Sequence, residues 1–440
     1  MPASARFRAT MARLDADTIR AYVRELPDYE RSGASPFRAQ DAGLRRTAKL
    51  LDRLGRPDVR YLVAQVAGTN GKGSTASMLA SVLEAAGART GLYTSPHLAR
   101  WEERIRISGA VIDDDLLAGA GAAVLEAVLA LDPADGAVTR FEFWTALACV
   151  AFGLSACRAA VLEVGLGGRY DATTAARVDL AVITRIGLDH TAILGNTVEQ
   201  IAREKAAIMR ERMPAVSAPQ APAARDVITA HAEKLGAPLL LGGRDFTWRR
   251  PADGLDVTIF GQTYAGLVLP LRGTFQEENA ATAVASALAM GTLGITITPE
   301  MVERGIAQAR WPGRFEIVGD VVLDGAHNPD GAHALAVALR AEFPGERFVF
   351  VLGTMQDKDI AGMLGELAPI ATRIIAVRSA SPRAREPAEI AERVAELGLA
   401  RDAAANVAAG IAAARDAQRI VVCGSLAVVA EARAALGLPP

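Results

Sequence analysis

The stretch VAGTNGKGST, residues 66–75, limits what this chain can fold into more than any other, because three glycines in six positions separate two opposite patterns. Before it, YLVAQV (61–66) is an unbroken apolar run of strand length. After it, Met78, Leu79, Val82 and Leu83 recur at helical spacing. Strand, glycine turn and helix in that order make an α/β unit. Gly68, Gly71 and Gly73 permit unusual backbone angles, the amides ahead of the helix form an anion nest, and Lys72 can neutralise phosphate oxygens. The spacing is not the common one, which needs glycine at position 66 and a hydroxyl directly after the lysine; Val66 and Gly73 stand there instead. The plainer alternative is a glycine-rich turn carrying a surface lysine.

The same alternation continues through TGLYT (90–94), AAVLEV (159–164) and DLAVIT (179–184), with helical stretches between them. This predicts a P-loop-type, mostly parallel sheet with helices on both faces. From about 237 to 270, LLLGGRDFTW, LDVTIF and TYAGLVLPL predict a small antiparallel sheet on its flank, and a helix over 276–290 returns to the first unit. Near ARWPGRFE (309–316) the chain is expected to cross into a smaller Rossmann-like α/β domain. The boundaries read 1–310 and 311–440, and ligands favour the cleft such a pair creates.

A chain of 440 residues exceeds what one core usually supports. Its net charge of -2 argues against gripping nucleic acid by electrostatics. Cys149, Cys157 and Cys423 lie in apolar runs without paired spacing, as buried, reduced thiols of a cytoplasmic protein do. The N-terminal MPASARFRATMARL lacks the apolar segment of a secretory signal and reads as a frayed lead into a first helix. The uncharged run Ala280 to Pro299 is long enough to span a bilayer, but its small residues and the GTLGI break predict a packed helix and a loop, not a membrane anchor.

Three further segments carry chemistry-bearing residues. In YTSPHLARWEERIRISG (93–109), Thr-Ser-Pro ends a strand and places Ser95 beside the glycine loop. In EVGLGGRYDATT (163–174), Glu163 ends an apolar strand, where a carboxylate is costly unless a cation or donors meet it. His190 follows DLAVIT and precedes a helix with a Thr197 to Gln200 capping box, with Lys205 further along that helix. In DGAHNPDG (324–331), Asp324 ends a strand, suited to ribose hydroxyls. Asn328 caps a helix with Pro329 in its first position, and His327 stands at that helix's N-terminus.

GTNGKGS, TSPHL, the Glu163 segment, the His190 segment and DGAHNPDG together resemble, in order, the Mur ligase superfamily. The glycine between Lys72 and Ser74 is similar to the folylpolyglutamate synthase/dihydrofolate synthase branch. The resemblance implies an ATP-dependent amide ligase that adds L-glutamate to a pteroate or folate carboxylate through an acyl phosphate. It implies ATP contacts at Gly68, Thr69, Asn70, Gly71, Lys72, Gly73, Ser74, Asn279, Arg314, Asp324 and His327. It implies Mg²⁺ at Ser95, Glu163 and His190, with one or two ions and Mn²⁺ as a substitute. It makes Lys72, Glu163, His190 and Lys205 catalytic, Lys205 as a carbamate, and places Phe141, Glu142, Phe143, Arg169 and Asp171 by the substrate. Lys358 and Asp359 in LGTMQDKD (352–359) would face the cleft for the incoming amino acid, with RSASPRA (378–384) a vaguer match. Its partners are small molecules only, dihydropteroate or a reduced folate and L-glutamate, with no nucleic acid or membrane, and family members are commonly monomers. Departures from the branch fall at Tyr170, Thr174 and Ala207.

Two other readings compete. A ligase of peptidoglycan precursors would carry a separate N-terminal domain for a UDP sugar, and the glycine loop starts too early for one. An ATP-binding regulatory module without ligation would not need two α/β units or the Glu163, His190 and Lys205 set.

Overall fold

The computed structural model describes residues 14–28, 41–400 and 402–439. The expected N-terminal lead falls outside the described residues up to position 13, and the Ala16–Glu25 helix follows, capped by the Asp15 carboxylate.

The larger sheet has eight strands: β1 (Leu62–Ala67), β2 (Thr90–Tyr93), β3 (Ile105–Ile107), β4 (Ala110–Val111), β5 (Ala159–Glu163), β6 (Leu180–Ile183), β7 (Ala215–Ser217) and β8 (Leu239–Leu241). Their order is β4-β3-β2-β5-β1-β6-β7-β8. Six run parallel, while β3 and β4 turn back as an antiparallel edge. Alternate side chains of a strand point to opposite faces, so one apolar run feeds two cores. Val63 and Ala67 of β1 join Ala160 and Leu162 of β5 in a layer with the Asp114–Leu129 and Arg140–Leu154 helices. Ala64 and Val66 join Ala159 and Val161 on the other face, with the Lys72–Ala85 and Phe275–Gly291 helices. A sheet covered on both faces explains why its strands read as continuous apolar runs.

The antiparallel sheet comprises β9 (Phe246–Arg249), β10 (Leu255–Ile259) and β11 (Gln262–Leu267). One expectation needs correction: Leu239–Leu241 is not part of it but pairs parallel with β7 and closes the large sheet. The Pro222–Leu235 helix lies between β7 and β8 and supplies the crossover that parallel neighbours require.

The second sheet contains β12 (Glu316–Val318), β13 (Val321–Leu323), β14 (Phe348–Leu352), β15 (Ala371–Ala376), β16 (Asp402–Ala403) and β17 (Ile420–Cys423), in the order β12-β13-β17-β14-β15-β16. Only β12 is antiparallel to its neighbour. Phe348, Phe350 and Leu352 face one layer, and Val349 and Val351 the other. The three cysteines are free and buried, and burial pushes the Cys149 thiol up to about 12 and Cys157 up to about 11. The uncharged run after Ala280 belongs to the Phe275–Gly291 helix and the turn beyond it. Among the described residues no helix is long and apolar enough to cross a membrane.

Candidate functional site

The chain leaves β1 towards β2 on one side, and β5 towards β6 on the other, so a crevice opens at the C-terminal ends of these strands. Four segments converge there: the glycine loop after β1, Ser95 after β2, Glu163 at the end of β5, and residues 184–190 after β6.

Gly68 and Gly71 adopt φ of 157° and 87°, and neither has room for a side chain. A Cβ on Gly68 would lie 1.9 Å from Thr184 Oγ1, and one on Gly71 would lie 2.3 Å from Asn279 Oδ1. Asn279 sits in the second turn of the Phe275–Gly291 helix, and Gln276 of the same helix donates to Ser74 Oγ. The Thr69 and Asn70 amides donate to the Arg185 carbonyl oxygen at 2.9 and 3.2 Å. These two amides shape the loop. The nest that remains is made of Gly71 to Ser74, at a helix N-terminus whose first amides have no intrahelical acceptor.

Lys72 folds back over this loop, with Nζ donating to the carbonyl oxygens of Gly68 and Thr69 at 3.1 and 3.2 Å. Loss of water pushes its ammonium below the usual range, against the pull of Glu163 and Asp189. Lys205 is buried beneath and donates to Gly68 O at 2.7 Å. Burial, then repulsion from Lys72, pushes Lys205 down to about 7.

Glu163 is 4% exposed and accepts from the Ser95 amide at 3.1 Å. Burial pushes its carboxyl up, while Lys72, that hydrogen bond and Arg314 pull it down. A buried carboxylate held by the Ser95 amide, at a crevice suited to phosphate, fits one hard divalent cation that takes its other ligands from phosphate and water. Among the described residues no group of three or more His, Cys, Asp or Glu side chains could hold a metal ion. His190 stands on the segment after β6, and, like Glu163, it feels the Lys72 charge. It caps the short Thr191–Leu194 helix in a left-handed conformation and faces Asp189, Lys358 and His327. Burial among them, with the nearby cations, pushes its imidazole down to about 4, although the side chain keeps 36% exposure. The neutral form follows in either case.

The second sheet reaches the crevice through Asp189, which the sequence reading did not single out. Its Oδ1 accepts from Lys358 Nζ at 2.6 Å and its Oδ2 from Asn328 Nδ2 at 3.1 Å, with His327 Nε2 at 3.2 Å. Burial would raise this carboxyl, but His327 and Lys358 hold it well below the usual range. Asn328 also pairs with Asn70 of the glycine loop. Asp324 follows β13 and accepts from the Phe315 and Ala326 amides at 2.9 and 2.8 Å, and Arg314 lies against Gly325 beside it. Asp359 is turned away and caps the Ile360–Leu367 helix through the Gly362 amide.

A sequence profile described as "Mur ligase, glutamate ligase domain" matches residues 313–426. The dihydrofolate synthase/folylpolyglutamate synthase of Bacillus subtilis is 36% identical over 362 residues, covering 78% of this chain and 82% of that protein. The chain belongs to the folylpolyglutamate synthase/dihydrofolate synthase family. The Mycobacterium tuberculosis folylpolyglutamate synthase complexed with ADP superposes with a TM-score of 0.88 at 32% identity, covering 97% of this chain and 99% of that one. Escherichia coli FolC in complex with DHPP and ADP gives 0.84 at 34% identity, covering 95% and 97%. A Haloferax volcanii relative, a probable bifunctional folylpolyglutamate synthase/dihydropteroate synthase, is 38% identical over 414 residues, and this chain spans 47% of its length.

Within this folylpolyglutamate synthase/dihydrofolate synthase fold, four expected substrate residues have partners within the protein. Glu142 pairs with Arg46 through two contacts of 2.6 Å and closes a capping box with Thr139, so its carboxylate is fully engaged in the core. Phe143 is wholly buried and packs against Tyr22. Arg169 pairs with Glu204 near the surface. Asp171 accepts from the Gly165, Leu166 and Thr173 amides and the Thr173 hydroxyl, holding its own loop together. Phe141 lies near the crevice, over Gly165 and 5.9 Å from the Tyr93 ring, and Asp171 meets the same Gly165 through its amide. The departure at Thr174 is accommodated, since its hydroxyl accepts from Gln65 and donates to Gly168 O. Asp189 had one signal in the sequence: it is an acid just beyond a buried strand, as Glu163 is.

Proposed function

We propose that this chain joins L-glutamate to the carboxylate of dihydropteroate or a reduced folate, at the expense of ATP, in the crevice between the two sheets. An ATP-dependent carboxylate–amine ligase is what its family membership establishes, and ADP occupies the M. tuberculosis and E. coli structures above. The two sheets are read as domains meeting near residues 310 and 311. The observation that carries the reading is the convergence, at one crevice, of the Gly71–Ser74 nest, Lys72 and Glu163 with Arg314, Asp324 and His327 from the second sheet.

The phosphates would lie on the nest with Lys72 beside them, and Asp324 would take the ribose hydroxyls. A substrate carboxylate oxygen attacks the terminal phosphorus as the bond to ADP breaks. The glutamate amine, in its neutral form, then attacks the acyl carbon; phosphate leaves and the amine's proton passes to solvent. Arg314 and Lys72 supply positive charge where the transferring group carries negative charge. Closure of the crevice excludes water from the acyl phosphate, whose hydrolysis would waste the nucleotide.

Ser95 and Glu163 would hold Mg²⁺, which when bound screens phosphate charge. His190 is read as a further ligand from the segment after β6, while Asp189 beside it is engaged by Lys358 and His327. Lys205 is read as the carbamate site, since a buried amine near 7 is substantially neutral and nucleophilic at physiological pH. Buried free thiols suit a reducing cytoplasm. The deciding experiment measures ADP and phosphate release from Mg²⁺-ATP by the purified protein. Release should require both the pteridine substrate and L-glutamate; release indifferent to either would overturn the assignment.

A further inference from the structure

The glycine loop is strapped to the segment after β6. The Thr69 and Asn70 amides donate to Arg185 O, and the Gly187 amide donates to Thr69 Oγ1 at 3.1 Å. Thr69 Oγ1 reaches Gly187 O at 3.0 Å, and Thr184 Oγ1 donates to Asn70 O at 2.7 Å. Thr184 also fills the space that a side chain on Gly68 would need. The height and tilt of the loop therefore follow the position of residues 184–187.

Beyond Ile183, where β6 ends, the Thr184 amide still donates to Ala67 O at 2.8 Å, but residues 185–187 lie outside any strand. A side chain braces the segment from the β7 side. Gln220, just past β7, accepts from the Ile186 amide at 3.0 Å and donates to the Thr184 carbonyl oxygen at 3.1 Å. Its amide nitrogen also lies 3.2 Å from Ser217 Oγ, which anchors it to the end of β7. An amide can satisfy a backbone donor and a backbone acceptor at once; a carboxylate or an apolar side chain of the same size cannot. We infer that Gln220 is a positioning residue for nucleotide binding, acting through residues 184–187 to hold the phosphate nest in register.

This rests on the glycine loop being the ATP site, and the test separates the two ideas. ADP binding is measured by calorimetry for the wild type, Lys72→Ala, Gln220→Met and Gln220→Asn, alongside KM for ATP and for the pteridine substrate. Methionine keeps the volume of glutamine and removes its three polar contacts, two of them to residues 184–187. Losing two hydrogen bonds to a buried segment should weaken ADP binding by about tenfold in Gln220→Met. KM for ATP should rise by a similar factor, while KM for the pteridine substrate and the fold, followed by circular dichroism, stay within about twofold and unchanged respectively. Asparagine retains both functional groups on a stem one carbon short, so Gln220→Asn should fall between wild type and methionine, and it carries the test if the methionine variant does not fold. Unchanged ADP affinity in the variant that folds would overturn the inference, as would equal weakening for nucleotide and pteridine, which marks general destabilisation. If Lys72→Ala binds ADP as wild type does, the site assignment itself fails.

Discussion

Lys205 Nζ donates to the carbonyl oxygen of Gly68 at 2.7 Å, joining positions 137 residues apart. A carbonyl accepts a hydrogen bond but cannot neutralise an ammonium, so burial and the neighbouring Lys72 dominate and push Lys205 down to about 7. Near neutral pH a large fraction of this amine is uncharged, the form that combines with carbon dioxide. Lys205→Ala should lose about a hundredfold or more in turnover, the scale lost when a group that orders reactants is removed. Acetate or formate should restore part of it. Normal activity without added carboxylate would reject a required carbamate.

The same group predicts a direction for stability against pH. Without carbamylation, its folded pKa of about 7 lies below the ordinary 10.5, so between those values the folded chain binds fewer protons than the unfolded one. Stability from this site therefore rises with pH across that window and is least favourable below it. Urea unfolding of wild type and Lys205→Met at pH 7 and pH 9, in carbon dioxide-free buffer, should show the wild type gaining relative to the variant at the higher pH.

Gly68 is required for a steric reason that does not apply at Gly119. A methyl there would lie 1.9 Å from Thr184 Oγ1 and 3.2 Å from the Thr184 backbone carbon, at a φ of 157°. Gly68→Ala should cost about 3 kcal/mol and abolish nucleotide binding. Gly119, inside the Asp114–Leu129 helix, has nothing within 4 Å of a Cβ. Gly119→Ala should stabilise by about 0.5–1 kcal/mol with activity unchanged. Thermal melts and ADP titration read both.

Glu142 tests whether the aromatic segment serves the substrate or the core. Its carboxylate and the Arg46 guanidinium are 7% and 10% exposed as side chains. Removing one partner of such a pair leaves a buried charge and costs about 3–5 kcal/mol. Glu142→Gln should lower the melting temperature while leaving KM for the pteridine substrate unchanged; a raised KM with unchanged stability would return Glu142 to the pocket.

These contrasts show where the sequence was informative. Local patterns carried the architecture: the apolar run before Gly68, the helical spacing after Lys72 and the capping box at Thr197 each formed as read. Residues at strand ends gather at the crevice, because parallel topology collects those ends at one edge. Direction around a helix was less legible. Phe141, Glu142 and Phe143 lie about 100° apart in turn on the Arg140–Leu154 helix, so three neighbours cannot share one face, and partners such as Arg46 lie far away in the chain. Strand placement failed once, through pairing rather than composition: Leu239 to Leu241 look like their antiparallel neighbours and differ only in what they pair with.

Asp189 is one of the contacts through which the two sheets approach, beside the Asn70–Asn328 and Arg272–Glu342 pairs. It is a single carboxylate from the first sheet that holds Lys358, His327 and Asn328 from the second. Asparagine in its place keeps the size and one acceptor but removes the charge, leaving the buried Lys358 ammonium without a counter-ion. A hydrogen bond to a charged group is worth about 1.5–3 kcal/mol, so Asp189→Asn should lower kcat/KM for ATP by about tenfold to a hundredfold. Lys358→Met alone should lower it too, for want of the same contact. If the carboxylate acts through the lysine, the double variant must lose less than the two single losses combined, because the second change removes an interaction already broken. Independent, additive losses would show instead that the pair does not couple the sheets, and small-angle scattering with no increase in radius of gyration for Asp189→Asn would support that outcome.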